Sequence, residues 1–152
     1  APALPPLLAL PNRLEQVIVN LILNARDAVE ERVKNAPEPP AVIGVSTAMD
    51  RNTVLLSVWD TGTGIPAHLL NKIFEPFFTT KPVGKGTGLG LSIIYGLVKD
   101  FGGSISARNR GEGGALFEIR FPITRRGEPA SSAPTNGDRA GGVSAPQPEQ
   151  LS

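Results

Sequence analysis

The sequence predicts an α+β fold, a two-layer sandwich in which helices cover one face of a mixed, mainly antiparallel sheet. Three observations carry that expectation. One stretch places apolar residues at helical three-to-four spacing, a glycine run leads into a second helical stretch, and four runs are β-rich and fall into two pairs. Along the 152 residues the order is helix, two strands, helices, two strands. Adjacent strands in that order pair as antiparallel hairpins, and a chain of this length is one domain with a sizeable core.

Each element has its own signal. Leu14, Val17, Ile18, Leu21, Ile22, Ala25, Ala28 and Val29 make an apolar stripe within residues 12–35, and Asn35-Ala36-Pro37 with Pro39-Pro40 stops that helix. Ala41 to Met49 and Thr53 to Trp59 are β-rich and flank the turn Asp50-Arg51-Asn52, which predicts a hairpin. A short helix opens at Pro66. Gly84 to Gly90 leads into a second long helix, about Leu89 to Phe101, closed by Gly102-Gly103. Ser104 to Arg108 and Ala115 to Phe121 are the last strands. In the latter, Phe117, Ile119 and Phe121 alternate with Glu118 and Arg120, so one face is buried and the other wet. Leu4 to Leu10 reads as an edge strand weakened by its prolines. The domain is expected to end at residue 124. From Arg125 to Ser152, Gly, Pro, Ser and Ala dominate, and so little apolar surface predicts a disordered tail or linker.

Composition narrows the function classes. Charged residues are 19% and the formal net charge is +1, so no strong field points to nucleic acid or to an anionic membrane. The absence of cysteine excludes disulfide scaffolds and thiolate metal sites and fits a reducing cytosol. No apolar run approaches the ~20 residues of a membrane span. The start, Ala1-Pro2-Ala3, has neither an initiator Met nor the basic flank of a signal peptide, and the chain reads as a cytoplasmic piece excised from a longer protein that can itself be membrane-anchored.

Three polar features stand out. On the first helix Arg13, Gln16, Asn20, Asn24, Asp27 and Glu31 share a sector about 80° wide beside the apolar stripe. A merely solvated face favours Glu, Lys or Gln, whereas Asn is a poorer helix former, and two Asn one turn apart project their amides to one place. Second, Asp60-Thr61-Gly62-Thr63-Gly64-Ile65 puts a carboxylate at the end of a hydrophobic strand, before glycines that can take positive φ and let backbone approach closely. Third, Gly84-Lys85-Gly86-Thr87-Gly88-Leu89-Gly90-Leu91-Ser92 alternates glycines as it enters a helix, where bare N–H groups and the helix dipole favour anions. Its spacing fits neither a P-loop nor a dinucleotide fingerprint. Between Phe74 and Thr87 lies a loop with three aromatics, two prolines, Lys81, Lys85 and glycines, and long loops without their own structure are functional or disordered.

Taken in order, Asn20-x-x-x-Asn24, Asp60-x-Gly62-x-Gly64, Phe74-Glu-Pro-Phe77-Phe78 and Gly84-x-Gly86-x-Gly88-x-Gly90-Leu-Ser92 resemble the N, G1, F and G2 boxes of the catalytic and ATP-binding domain of sensor histidine kinases. The resemblance covers roughly residues 10 to 122. It implies the Bergerat fold, shared with gyrase, the Hsp-type chaperone and MutL, and a pocket for Mg²⁺-ATP. It places the metal ligand and catalytic centre at Asn24, with Asn20 supporting metal or phosphate. An amide oxygen is a hard, neutral ligand suited to Mg²⁺, which keeps waters and phosphates around it. Asp60, with Gly62, Gly64 and Ile65, is implied to hold the base; an acceptor-only carboxylate suits the exocyclic amine of adenine and repels the carbonyl of guanine. Gly86, Thr87, Gly88, Leu89 and Gly90 are implied to wrap the phosphates under a mobile lid anchored by the three Phe, with Lys81 or Lys85 neutralising phosphate charge. Asp27 stands where many relatives carry a base; it either orients a metal-bound water or bonds locally. The Ala-Arg-Asp-Ala of the first helix and the Phe-Phe-Thr-Thr-Lys81 run are most similar to the nitrogen-regulation and dicarboxylate-sensing subfamily.

Departures are informative. Water-activating relatives have a Glu one turn before the metal Asn as general base, and Asn20 takes up no proton at neutral pH, so the site is expected to hold ATP for transfer rather than for rapid hydrolysis. Gly113-Gly114 is followed by Ala115 where relatives often have Thr or Ser, so a water or a backbone group must serve there. Leu10 stands where an acidic helix cap is usual. The one histidine, His68, lacks the surroundings of a phospho-acceptor and is read as a surface residue. The expected function is therefore donation of the γ-phosphoryl group to a histidine on a separate dimerisation domain, with a response regulator downstream. An ATPase clamp of the gyrase type would hydrolyse ATP steadily, and a docking module would bind none.

Overall fold

The computed structural model describes residues 11–81 and 89–123. Helix α1 spans Pro11–Asn35, with Pro at its first position, where a missing N–H costs nothing. It buries Val17, Leu21, Ala25 and Val29, one residue per turn along a single line. Strands β1 (Ile43–Asp50) and β2 (Thr53–Asp60) form the expected hairpin, each running one residue beyond its expected end. The turn between them is only Arg51-Asn52, with Arg51 at φ 51°. A 3-10 turn, Ala67–Leu69, follows, then α2 (Gly90–Asp100), β3 (Ser104–Asn109) and β4 (Ala115–Pro122). Gly102 closes α2 at φ 71°, and the Gly103 N–H returns to the Val98 carbonyl.

The four strands form one sheet in the order β1-β2-β4-β3, and all three pairings are antiparallel. The two hairpins are joined by β2 against β4, Val58 opposite Phe117 and Leu56 opposite Ile119. Alternation along β2 buries Val54, Leu56, Val58 and Asp60 on one face, and β4 buries Phe117, Ile119 and Phe121 beside them. Both helices pack on that face, Val17 and Leu21 from α1 and Ile94 and Val98 from α2. The expected α+β two-layer arrangement is therefore present. It also puts a carboxylate, Asp60, at the end of a core strand beneath α1. The edge strand β1 extends past the helical layer, so Val45 and Met49 are exposed although they pair with buried residues. Among the described residues no helix is long and apolar enough to cross a membrane. The expected strand at Leu4 to Leu10 and the expected tail lie outside the described residues.

Candidate nucleotide site

Asp60 is 2% exposed, and among the described residues it is the one buried charged side chain. Its Oδ1 accepts hydrogen bonds from the Gly62 N–H (2.7 Å) and the Ala115 N–H (3.3 Å). Among the described residues Oδ2 receives none, which leaves it for the cavity that Asp60 borders. Burial pushes the Asp60 carboxyl above its usual range, against the two N–H donors and the nearby Arg110 charge.

That cavity, about 260 Å³, is bordered by Asn24 and Ala28 of α1, Asp60, Gly64, Ile65 and Pro66 after β2, Phe78, Thr79 and Thr80 further on, Gly90 and Leu91 in the first turn of α2, and Ala115 of β4. Residues far apart in sequence thus meet in one place: Asn24, Asp60, Gly64, Ile65 and Gly90. Asn24 is half-buried, and no hydrogen bond from a described residue occupies its amide. Along the helix axis the polar sector is half-buried at Asn20, Asn24 and Asp27 and exposed nearer the helix ends at Arg13, Gln16 and Glu31, so it is not simply a solvated face.

Other expected residues sit differently. Asn20 is one turn before Asn24 on α1 but does not border the cavity. Gly62 does not take positive φ and does not face the cavity, which corrects the expectation for that glycine. A Cβ at position 62 would lie 2.6 Å from the Ala28 backbone, so close packing against α1 is its physical requirement. Gly64 does adopt positive φ, 72°. The Leu89 carbonyl accepts from the Ser92 hydroxyl (3.0 Å) and from the Ile93 N–H (2.9 Å), which starts α2 rather than lining the cavity. Lys85, Gly86, Thr87 and Gly88 lie outside the described residues.

Lys81 and Asp27 form an ion pair, and Arg26 donates to the same carboxylate at 2.8 Å. Asp27 is thus held by two cations, one its neighbour in sequence and the other 54 positions away. Burial pushes its carboxyl up, but hydrogen bonds from Lys81 and Arg26 and their charges outweigh that, and the net shift is downward. The pair lines a second recess with Arg26, Glu30 and Lys34, and this recess shares Gly64, Pro66 and Thr80 with the cavity around Asp60. Of the three Phe, Phe74 stacks edge-on against Phe117 (6.5 Å between ring centres) and Phe78 packs on the core, whereas Phe77 is 75% exposed at φ 64°. His68 is exposed, as expected.

Sequence reasoning missed the backing of the Asp60 turn. Arg110 lies over the Trp59 ring (4.4 Å) and donates from Nη1 to the Asp60 carbonyl at 2.9 Å. Asn109 makes two hydrogen bonds to the backbone of Ile65. The only sequence trace of either is a polar pair at a strand end, just before the glycines.

Residues 9–125 match the family described as histidine kinase-, DNA gyrase B-, and HSP90-like ATPase. The chain is 46% identical over 129 residues to the sensor kinase CckA of Brucella abortus, a match covering 80% of this chain and 14% of that protein. It is 39% identical over 109 residues to the C4-dicarboxylate transport sensor protein DctB of Pseudomonas aeruginosa, covering 72% of this chain and 17% of the relative. The chain thus spans less than a fifth of the length of either. In three dimensions it superposes on the catalytic domain of histidine kinase ThkA with a TM-score of 0.63 at 38% identity, covering 77% of this chain and 71% of that one. The chain therefore belongs to the histidine kinase-, DNA gyrase B-, and HSP90-like ATPase family and is of the sensor histidine kinase type.

Proposed function

We propose that this domain binds Mg²⁺-ATP in the cavity around Asp60 and presents the γ-phosphoryl group to a histidine on a separate domain of a longer, cytoplasmically facing signalling protein. The observation that carries the reading is the convergence of Asp60, Gly64, Ile65, Asn24 and Gly90 on one cavity. Asp60 supplies a fixed acceptor, Oδ2, whose partner oxygen is locked by two N–H groups, and such an acceptor selects the adenine amine. Gly64 and Ile65 form the wall beside it. Asn24, supported by Asn20, stands toward the phosphate end, and the first turn of α2 supplies a helix N-terminus favourable to anions.

The residues present fit Mg²⁺. Asn24 borders the cavity and no hydrogen bond from a described residue occupies its amide, so its oxygen would be the protein ligand to the ion, with phosphates and water completing the shell. When bound, the ion neutralises phosphate charge. The chain's own contribution is orientation and electrostatics, which phosphoryl transfer mainly requires. Asn20 bears no proton-accepting group at neutral pH, which favours transfer over water activation and argues against a gyrase-type clamp. Lys81, released from Asp27, and Lys85 are the cations closest in sequence to the Gly86–Gly90 run that wraps the phosphates. The acceptor histidine domain and a response regulator are the partners this reading implies.

The test is calorimetric titration with non-hydrolysable ATP and GTP analogues, each with Mg²⁺. Binding of the adenine compound, with the guanine compound much weaker, is expected. Absence of binding would refute the proposal. Adding a helical hairpin bearing an acceptor histidine should then give acid-labile phosphohistidine from ATP.

A further inference from the structure

Asn109, the last residue of β3, faces the turn that follows β2. Its Oδ1 accepts from the Ile65 N–H at 2.8 Å, and its Nδ2 donates to the Ile65 carbonyl at 2.6 Å. A side-chain amide carries the same donor and acceptor as a peptide group, so these two bonds reproduce one rung of an antiparallel ladder. The rung joins positions 44 apart in sequence. It lies where the chain has left β2 and has no strand partner of its own, since β2–β4 pairing ends with Trp59 opposite Leu116.

The consequence falls on the cavity. Asp60 and Ile65 bracket the turn, and both border the cavity, whereas Asn109 does not. The next residue, Arg110, bonds the Asp60 carbonyl, so two successive residues of the β3 end hold both ends of the turn. Gly64 lies between. A Cβ there would sit 3.0 Å from Asn109 Oδ1 and 3.5 Å from the Gly114 carbonyl, and φ at Gly64 is already 72°. The turn is therefore set from behind, by groups that touch nothing inside the cavity.

We infer that Asn109 is a positioning residue: it fixes the base-side wall at Ile65 relative to Asp60 and thereby sets the discrimination of adenine from other bases. The inference rests on the nucleotide reading above. Asn109 is exposed, so its two bonds compete with water and each is worth the modest amount of an ordinary hydrogen bond. Removing both leaves the turn free to sample geometries in which the base wall and the carboxylate no longer match one ligand.

The experiment compares the 152-residue chain with Asn109→Ala, titrating each with Mg²⁺ and the non-hydrolysable ATP or GTP analogue. Affinity for the adenine compound is expected to fall roughly tenfold, and the adenine-to-guanine ratio to shrink by a similar factor. A purely structural role would lower both affinities in proportion and leave the ratio unchanged. Amide hydrogen exchange at Ile65 gives a second readout that needs no ligand, and it is expected to speed up about tenfold in the variant. An Asn109→Ala protein that keeps the parent affinity and ratio, loses both nucleotides in proportion, or keeps Ile65 protected overturns the inference alone. A parent chain that binds no adenine nucleotide overturns the functional proposal and this inference with it.

Discussion

Asp60→Asn should separate stability from binding, because the two depend on different oxygens of one side chain. In the free domain the carboxylate is 2% exposed, and burial raises its pKa. Between the unfolded and folded pKa values the folded state holds more protons, so stability falls as pH rises through that window. At neutral pH the buried charge therefore opposes folding. Asparagine removes the charge and keeps Oδ1 as acceptor for the Gly62 and Ala115 N–H groups. The melting temperature of Asp60→Asn should equal or exceed that of the parent. Binding should go the other way. A hydrogen bond to a charged acceptor is worth about 1.5–3 kcal/mol, roughly 10- to 150-fold in affinity, and an amide Nδ2 now meets the adenine amine donor to donor. Calorimetric titration and thermal unfolding of the same two proteins give both quantities. A variant that melts several degrees lower while binding ATP normally would refute the reasoning, because Asp60 would then be structural.

Other outcomes follow from the same geometry. Asn24→Ala should weaken ATP binding about tenfold in Mg²⁺ and scarcely at all in chelator, measured by paired titrations; an equal loss in both conditions would contradict the metal role. Asp27→Asn removes a pair whose partners are 30% and 36% exposed, so denaturant titration should show a loss below about 1 kcal/mol. Its folded pKa is depressed, so that contribution is present above the unfolded value of 3.8 and disappears as pH falls through the folded one. Gly114→Ala would press a Cβ against the Asp60 carbonyl at φ 83°, and a loss of about 1–3 kcal/mol together with weakened nucleotide binding is expected.

Much of the architecture was legible because burial writes itself as periodicity. Val17, Leu21, Ala25 and Val29 announce α1, and the alternation of Phe117, Ile119 and Phe121 announces the inner face of β4. Periodicity names faces, not partners, so the β2–β4 pairing that joins the hairpins is not written in either strand. The same division holds at the site. Asn24, Asp60, Gly64, Ile65 and Gly90 come from motifs with their own chemistry, and the fold gathers them in one cavity. Gly62 was identified for a different physical reason from the one it serves, because its contact with Ala28 depends on how closely α1 approaches the turn. Lys81 finds Asp27 across 54 positions, and Asn109 finds Ile65 across 44; no local pattern encodes either. The Gly84–Gly88 part of the glycine run lies outside the described residues.

The most direct measurement is a crystal structure of the chain grown with Mg²⁺ and a non-hydrolysable ATP analogue. The exocyclic amine should lie within hydrogen-bond reach of Asp60 Oδ2, the ring against Ile65, and the metal beside the Asn24 amide. An adenine ring bound elsewhere, with Asp60 facing only water, would contradict the account.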